Sequence, residues 1–295
     1  MNLDLSLECA QEHAAHLSQE DFMKKYFLPQ KPVLLKGLAK LQPAGNKWTI
    51  DWFKKTMGNL DIAVFDNNEK RHVYSTTVTP DIKMPFHKFL DIISSDQTSS
   101  IRMFRYNLYK QNPDLRKDFS CPSFFNRNIM KRFGFMFIGG KNTAVRLHFD
   151  VDRSNVLLTQ ITGSKSVVLF EPKYTPYLYR VPFNTHSLMD IKNSNEADFP
   201  GIRYVKGMEV IQEAGDGLFM PSGYWHYNTY LEGGISVAFR KLAHTPGSLL
   251  KGIIFIVLTM PVDMILTRIL GNKWQMYKDI LCKERVKRAI APRPK

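Results

Sequence analysis

Three residues have the types and the spacing to hold a metal ion. His148 and Asp150 stand two apart in RLHFD, a stretch that reads as a strand. Side chains at i and i+2 of a strand point to one face, so the imidazole and the carboxylate converge while Phe149 points away. They form two legs of the two-histidine, one-carboxylate face that binds non-haem iron and leaves coordination positions open. The third leg is His226, in GDGLFMPSGYWH. A Gly-Asp turn precedes a short strand there, a Pro-Ser-Gly turn follows it, and His226 opens the next strand. In a closed antiparallel barrel that strand can return beside the one carrying His148; the plainer alternative is a packed Trp225–His226 corner. Lys165, in QITGSKSVVLF, falls in an otherwise apolar strand. Alternation leaves two readings: a lysine facing outward, or a buried ammonium that needs an anionic partner. In the second, the distal carboxylate of 2-oxoglutarate fits, its keto-acid end chelating the metal.

The elements that must position these residues are short strands. From Phe133 the runs FGFMFIGG, TAVRLHFD, NVLLTQIT, KSVVLFEP, MEVIQEAGD, GLFMPSGYWH and GGISVAFR are rich in β-formers and mostly separated by Gly, Pro, Asn or Asp. Such spacing predicts a sandwich or barrel, not a βαβ array. The fold class expected is therefore mainly β with flanking helices, the barrel spanning residues 123–245. Residues 1–122 read as a mixed α/β lead-in packing on it: SQEDF and KWTIDWFKKTMG as capped helices, KPVLLKGL, DIAVFD and HVYSTTV as strands, MPFHKFLDII as a helix. Residues 246–295 turn helical. LLKGIIFIVLTMPVDMILTRIL is strongly apolar, but Pro261 and Asp263 interrupt it, leaving less than the roughly 20 apolar residues a bilayer requires. A buried or dimer-forming helix is the better reading, and a membrane partner is not expected.

Hydrophobic content of 44% and charged content of 23% describe a globular chain, which excludes a disordered one. Three scattered cysteines without a C-x-x-C pair exclude a disulfide framework and a thiolate zinc site. The acidic amino-terminal residues do not suit a signal peptide, and a reducing cytoplasm is the simplest compartment. Phosphate loops and a G-x-S-x-G elbow are missing. The net charge of +14 concentrates in Ile101–Phe133 and Lys241–Lys295, as either a solvated basic surface or a patch for RNA or an anionic protein. His72, His87, His186 and His244 stand alone and read as structural or surface residues.

From about Phe133 to Arg240 the chain resembles the JmjC-type cupins, among them the asparaginyl hydroxylase acting on hypoxia-inducible factor and its bacterial relatives. The resemblance rests on His148-Phe149-Asp150, on Gln160-Ile161-Thr162-Gly163-Ser164-Lys165, on Gly215-Asp216 through Pro221 to Trp225-His226, and on Gly233-Gly234-Ile235. It implies a double-stranded β-helix, Fe(II) on His148, Asp150 and His226, 2-oxoglutarate held through Lys165, and a dimer through C-terminal helices. It further points to Tyr106 for a cosubstrate hydroxyl, with Phe104 competing for the place, and to Asn155 if one extra residue is allowed after Asp150. Two positions depart from the pattern: Val145 stands where a cosubstrate-binding Thr is usual, and Arg240 replaces an Asn. The expected activity is hydroxylation of a protein or other macromolecule by Fe(II), 2-oxoglutarate and O2. Demethylation by the same chemistry, an RNA-modifying hydroxylase, and a non-catalytic metal-binding scaffold are the alternatives.

Overall fold

Side-chain alternation in one strand explains most of the architecture. In Asn155–Thr162, Val156 and Leu158 join one apolar cluster while Leu157 and Ile161 join another, so the strand is covered on both faces. The structure, a computed structural model, describes residues 3–66, 80, 82–95, 97–125 and 134–291. Its strands in chain order are β1 (Ala10–His13), β2 (Val33–Lys36), β3 (Asp61–Asp66), β4 (Ile82–Pro85), β5 (Ile101–Asn107), β6 (Phe135–Gly139), β7 (Ala144–His148), β8 (Asn155–Thr162), β9 (Lys165–Phe170), β10 (Gly207–Gln212), β11 (Gly217–Met220), β12 (Trp225–Tyr230) and β13 (Gly234–Lys241). The strand expected at HVYSTTV lies outside the described residues.

Two sheets face each other as a jelly roll. The larger runs β1-β2-β11-β8-β13-β6-β5-β3-β4 and the smaller β10-β9-β12-β7. Between them lie Val156, Leu158, Val167, Leu169, Val210, Leu218 and Ala238. The amino-terminal strands extend the large sheet directly, β2 pairing with β11 and β5 with β6. The outer face of that sheet is covered by helices whose caps are plain in the sequence. Ser18 Oγ accepts the Asp21 N–H at 3.0 Å, and Thr49 Oγ1 accepts the Trp52 N–H at 3.1 Å. Phe22, Phe53, Phe86 and Phe89 then bury fully against the sheet.

The C-terminal helix differs from its expectation. It runs unbroken over Pro246–Leu270, 25 residues containing an 18-residue window of mean hydropathy 2.1, long and apolar enough to cross a membrane. A π-helical turn at Phe255–Thr259 precedes Pro261 and takes up its missing donor, so the proline does not end the helix. Asp263 is no break either. It is buried against the following helix, Asn272–Ile290, where Trp274 Nε1 and Lys278 Nζ each donate to it at 2.8 Å. Only 17% of the apolar window is buried, so this is not a core helix.

The β8–β9 turn needs its glycine. Gly163 sits at φ +68, and a Cβ there would lie 2.4 Å from the Gly233 carbonyl oxygen, where β13 begins. Gly163→Ala is expected to cost about 2–4 kcal/mol, from left-handed strain plus a backbone clash. Urea unfolding measures it, and a loss below about 0.5 kcal/mol would mean the turn relaxes freely.

Candidate metal centre

Strand register brings the two histidines together. His148 ends β7, His226 lies on β12, and the two are direct register partners with ring centroids 4.2 Å apart. Asp150 follows just beyond β7. One donor atom from each of His148, Asp150 and His226 lies within 4.8 Å of the others; among the described residues this is the only such cluster of three or more histidine, cysteine or acidic residues. The histidine Nδ1 atoms sit 2.7 Å from the Arg146 carbonyl and 3.2 Å from the Tyr224 carbonyl. A carbonyl only accepts, so each Nδ1 carries the proton and each Nε2 keeps its lone pair for a metal. Burial holds both imidazoles below their ordinary range, with His226 and His186 adding to the effect at His148. They are therefore neutral near pH 7, the form that ligates.

The carboxylate leg is gripped by Arg240, the residue that departs from the family pattern. Burial alone would raise the Asp150 pKa, but the Arg240 charge and the two histidines overcome it and hold the group well below the usual range. Arg240 Nη2 donates to Asp150 Oδ1 at 2.8 Å, while Nη1 donates to Asp152 at 3.1 Å and to Ser154 Oγ at 3.1 Å. With one carboxylate oxygen engaged, the other is left for a metal.

The three donors open into a cavity between the sheets. His226, Asn228 and Tyr230, at alternate positions of β12, form a stripe from the donors to Lys165, the register partner of Tyr230. Lys165 is 2% exposed, its ammonium 4.2 Å from the Tyr230 ring centroid and 2.6 Å from Ser236 Oγ. Ser236 Oγ in turn donates a hydrogen bond to Gln160 Oε1 at 2.7 Å. Among the described residues no carboxylate pairs with Lys165, and burial pulls its pKa down to about 7. The structure thus decides between the two readings of this lysine: it faces inward. Midway along the stripe the Asn228 side-chain carbonyl is buried without a hydrogen-bond partner, directly across from Val145. A dicarboxylate with a metal-chelating end fits this set, because it meets a cation at one end and open metal positions at the other.

Two other sequence-derived residues lie elsewhere. Tyr106 packs with the core beneath the large sheet, and Phe104 lines the cavity instead. The cause is a register shift between Met103 and Tyr106, with Arg105 at φ +53, which changes the alternation of β5. Asn155 faces away from the cavity because its neighbours Val156 and Leu158 face into it. Its amide is fully engaged, donating to the Leu242 carbonyl and accepting from Gln30 Nε2 and the Ser222 N–H, each at 3.1 Å. It ties β8 to the Pro-Ser-Gly corner. Conversely, His186 is not isolated. Its ring stacks on His148 with centroids 5.2 Å apart, held by a 2.7 Å hydrogen bond between Nδ1 and Asn184 Oδ1. Nothing in the spacing of His186 marked it, since a long loop brings it back.

Arg240→Asn should weaken binding of Mn(II) or Co(II) by roughly 10–100-fold, the usual loss when a ligand's outer partner is removed. Calorimetric titration of the metal-free protein measures this. Unchanged or tighter binding would show that Arg240 competes with the metal and does not serve it.

Comparison with known proteins agrees with this geometry. Residues 19–240 match the family model described as a cupin-like domain. The human tRNA wybutosine-synthesizing protein 5 is 28% identical over 246 residues, 75% of this chain and 74% of its own. The lysine-specific demethylase JMJ30 of Arabidopsis thaliana is 28% identical over 245 residues, 79% of this chain and 55% of its own. JmjC domain-containing protein D of Dictyostelium discoideum is 27% identical over 248 residues, 75% of this chain and 53% of its own. The matched span holds all three donors and Lys165, and the chain belongs to the cupin-like domain family, among the JmjC-type 2-oxoglutarate-dependent oxygenases.

Proposed function

We propose that His148, Asp150 and His226 hold Fe(II), that Lys165 holds the distal carboxylate of 2-oxoglutarate, and that the chain hydroxylates a macromolecular substrate. The observation that carries this is the joint lining of one cavity by a three-donor face and a buried lysine without a carboxylate. Bound there, the iron with 2-oxoglutarate and O2 supplies the oxidant for a C–H bond, the cosubstrate leaving as succinate and CO2. The chain's own share is placement. The carbonyls of Arg146 and Tyr224 set the imidazole tautomers, Arg240 orients Asp150, and the stripe on β12 aligns the cosubstrate between metal and lysine. Val145 lines the cavity without the hydroxyl usual at that place. All these devices serve turnover, which speaks against an inert scaffold. The relatives are named for a tRNA, for lysine and for arginine, so a nucleic acid or a protein suits the family.

Succinate formation by iron-loaded protein in air, with the visible charge-transfer band of the anaerobic complex, tests the reading. Both should vanish in His148→Ala, and the band should need at least tenfold more 2-oxoglutarate in Lys165→Ala. Stoichiometric iron with neither band nor succinate would refute it. The lysine also sets a pH dependence. The ammonium form binds the dicarboxylate, and burial lowers the free lysine to about 7. Below that pH the site is charged and ready; above it a proton must be taken up with the ligand. Affinity should therefore fall as pH rises from 7 to 9, by up to about tenfold per unit. Affinity that tightens over this range would remove Lys165 from the role.

The exposed face of Pro246–Leu270, with Val257, Ile265 and Ile269 each more than half exposed, supports the expected homodimer. Lys251 and Arg268 lie near the two ends of this helix, where long cationic side chains reach water, so the same face also suits lipid and the mass in solution distinguishes the two. The scattered cysteines Cys9, Cys121 and Cys282, without a C-x-x-C pair, suit a reducing compartment such as the cytoplasm. Light scattering should give twice the chain mass for the wild type and the monomer mass for Val257→Glu/Ile265→Glu. A monomeric wild type that partitions onto liposomes would assign this helix to a membrane.

A further inference from the structure

On the outer side of the small sheet, behind the strand that carries His148, lies a group of arginines that the chemistry above does not use. Phe149, between His148 and Asp150, has its ring flanked by the guanidinium of Arg153 at 5.0 Å and that of Arg180 at 5.5 Å. Arg153 leans against the corner before His226, its Nη1 3.3 Å from where a Gly223 Cβ would stand. The C-terminal helix delivers a third cation. Cys282 and Val286 pack against Tyr179 and Ile202, which sets Arg285 near enough to Arg180 for their charges to repel. None of Arg153, Arg180 and Arg285 has a carboxylate partner among the described residues; the one side-chain hydrogen bond in the group is Arg180 Nε to the Asn184 carbonyl, 3.0 Å. Arg153 and Arg180 are half-buried, and burial with like charge beside it lowers Arg180 to about 10. Arg153 and Tyr179 are also held at φ +49 and φ +48, a left-handed conformation costly for both residue types. Three cations gathered at a backbone cost, two of them partly desolvated and none neutralised, demand an anion.

We propose that Arg153, Arg180 and Arg285 form a subsite for a phosphate group around Phe149, on the outer side of the small sheet. Guanidinium forks match the oxygens of a tetrahedral oxyanion, and the strand that carries His148 separates this subsite from the donor cavity. The proposal rests on the oxygenase reading for its purpose, though not for its geometry. Its ligand is either free phosphate or the phosphodiester of a nucleic-acid strand.

The test uses the full chain and isothermal titration with inorganic phosphate, at constant ionic strength set with chloride. The wild type should bind phosphate in the millimolar range or tighter. Arg180→Gln and Arg153→Gln should each weaken it at least tenfold, and Arg153→Lys should recover part of the loss. A single-stranded RNA 12-mer run alongside identifies the source. Binding at least 100-fold tighter than phosphate, and lost with rising salt, assigns a nucleic-acid backbone; binding no tighter assigns a free or small-molecule phosphate. No phosphate binding by wild type, or affinity unchanged in variants whose circular dichroism is native, overturns the subsite. Iron binding measured on the same samples separates the readings, because its absence from wild type sinks the oxygenase assignment and leaves the phosphate result standing.

Discussion

The pairing of β12 with β7 that sets His226 opposite His148 is the constraint on which the site depends. Side chains alternate with period two, so a slip of one residue would turn His226, Asn228 and Tyr230 out of the cavity together. Two features fix the register. β12 is hydrogen-bonded on its other side to β9 over six consecutive residues, and Trp225 is wedged edge-on against Phe149 at 4.8 Å. Between the His148 and Val145 pairings β7 carries one extra residue. That bulge puts Val145 into the cavity and leaves Arg146 exposed, where it reaches the Ser187 carbonyl. Without it a third cation would project into a space that already holds Lys165 and Arg240.

Charge is the second organising theme. The interior of the jelly roll holds a lysine with no carboxylate of its own and an arginine shared between two aspartates. The two cations have opposite meanings. Arg240 is neutralised within the fold and works on Asp150, which is why its replacement of a family asparagine is compatible with the metal face. Lys165 is left with only a hydroxyl and an aromatic ring, a state that costs free energy until an anion arrives. An unsatisfied buried cation of this kind marks a binding site more sharply than any exposed charge does.

The C-terminal hairpin follows the same logic outside the barrel. Asp263 and Lys278 are both almost wholly buried, and a pair so placed is held by geometry and by the Trp274 hydrogen bond more than by net Coulomb gain. It fixes the two helices against each other. The long helix therefore presents a rigid apolar face outward, while the second helix packs on the barrel and carries Arg285 toward Arg180.

Local signals in the sequence marked β2, β3 and the strands from β6 onward, the capped helices, and the cluster of His148, Asp150 and His226. A strand pattern needs only period two, a cap needs one side chain at a fixed offset, and H-x-D with P-S-G-Y-W-H survives as contiguous text. Facts that depend on distant segments were decided by the tertiary structure alone. Which face Lys165 took, Phe104 in place of Tyr106, Asn155 turned to a structural task, His186 stacked on His148, and the unbroken helix through Pro261 are all of this kind. In each case a bulge, a neighbouring strand or a returning loop supplied what no local window contains. Alternation says that a residue faces one of two sides; only the packed sheets say which side is the cavity.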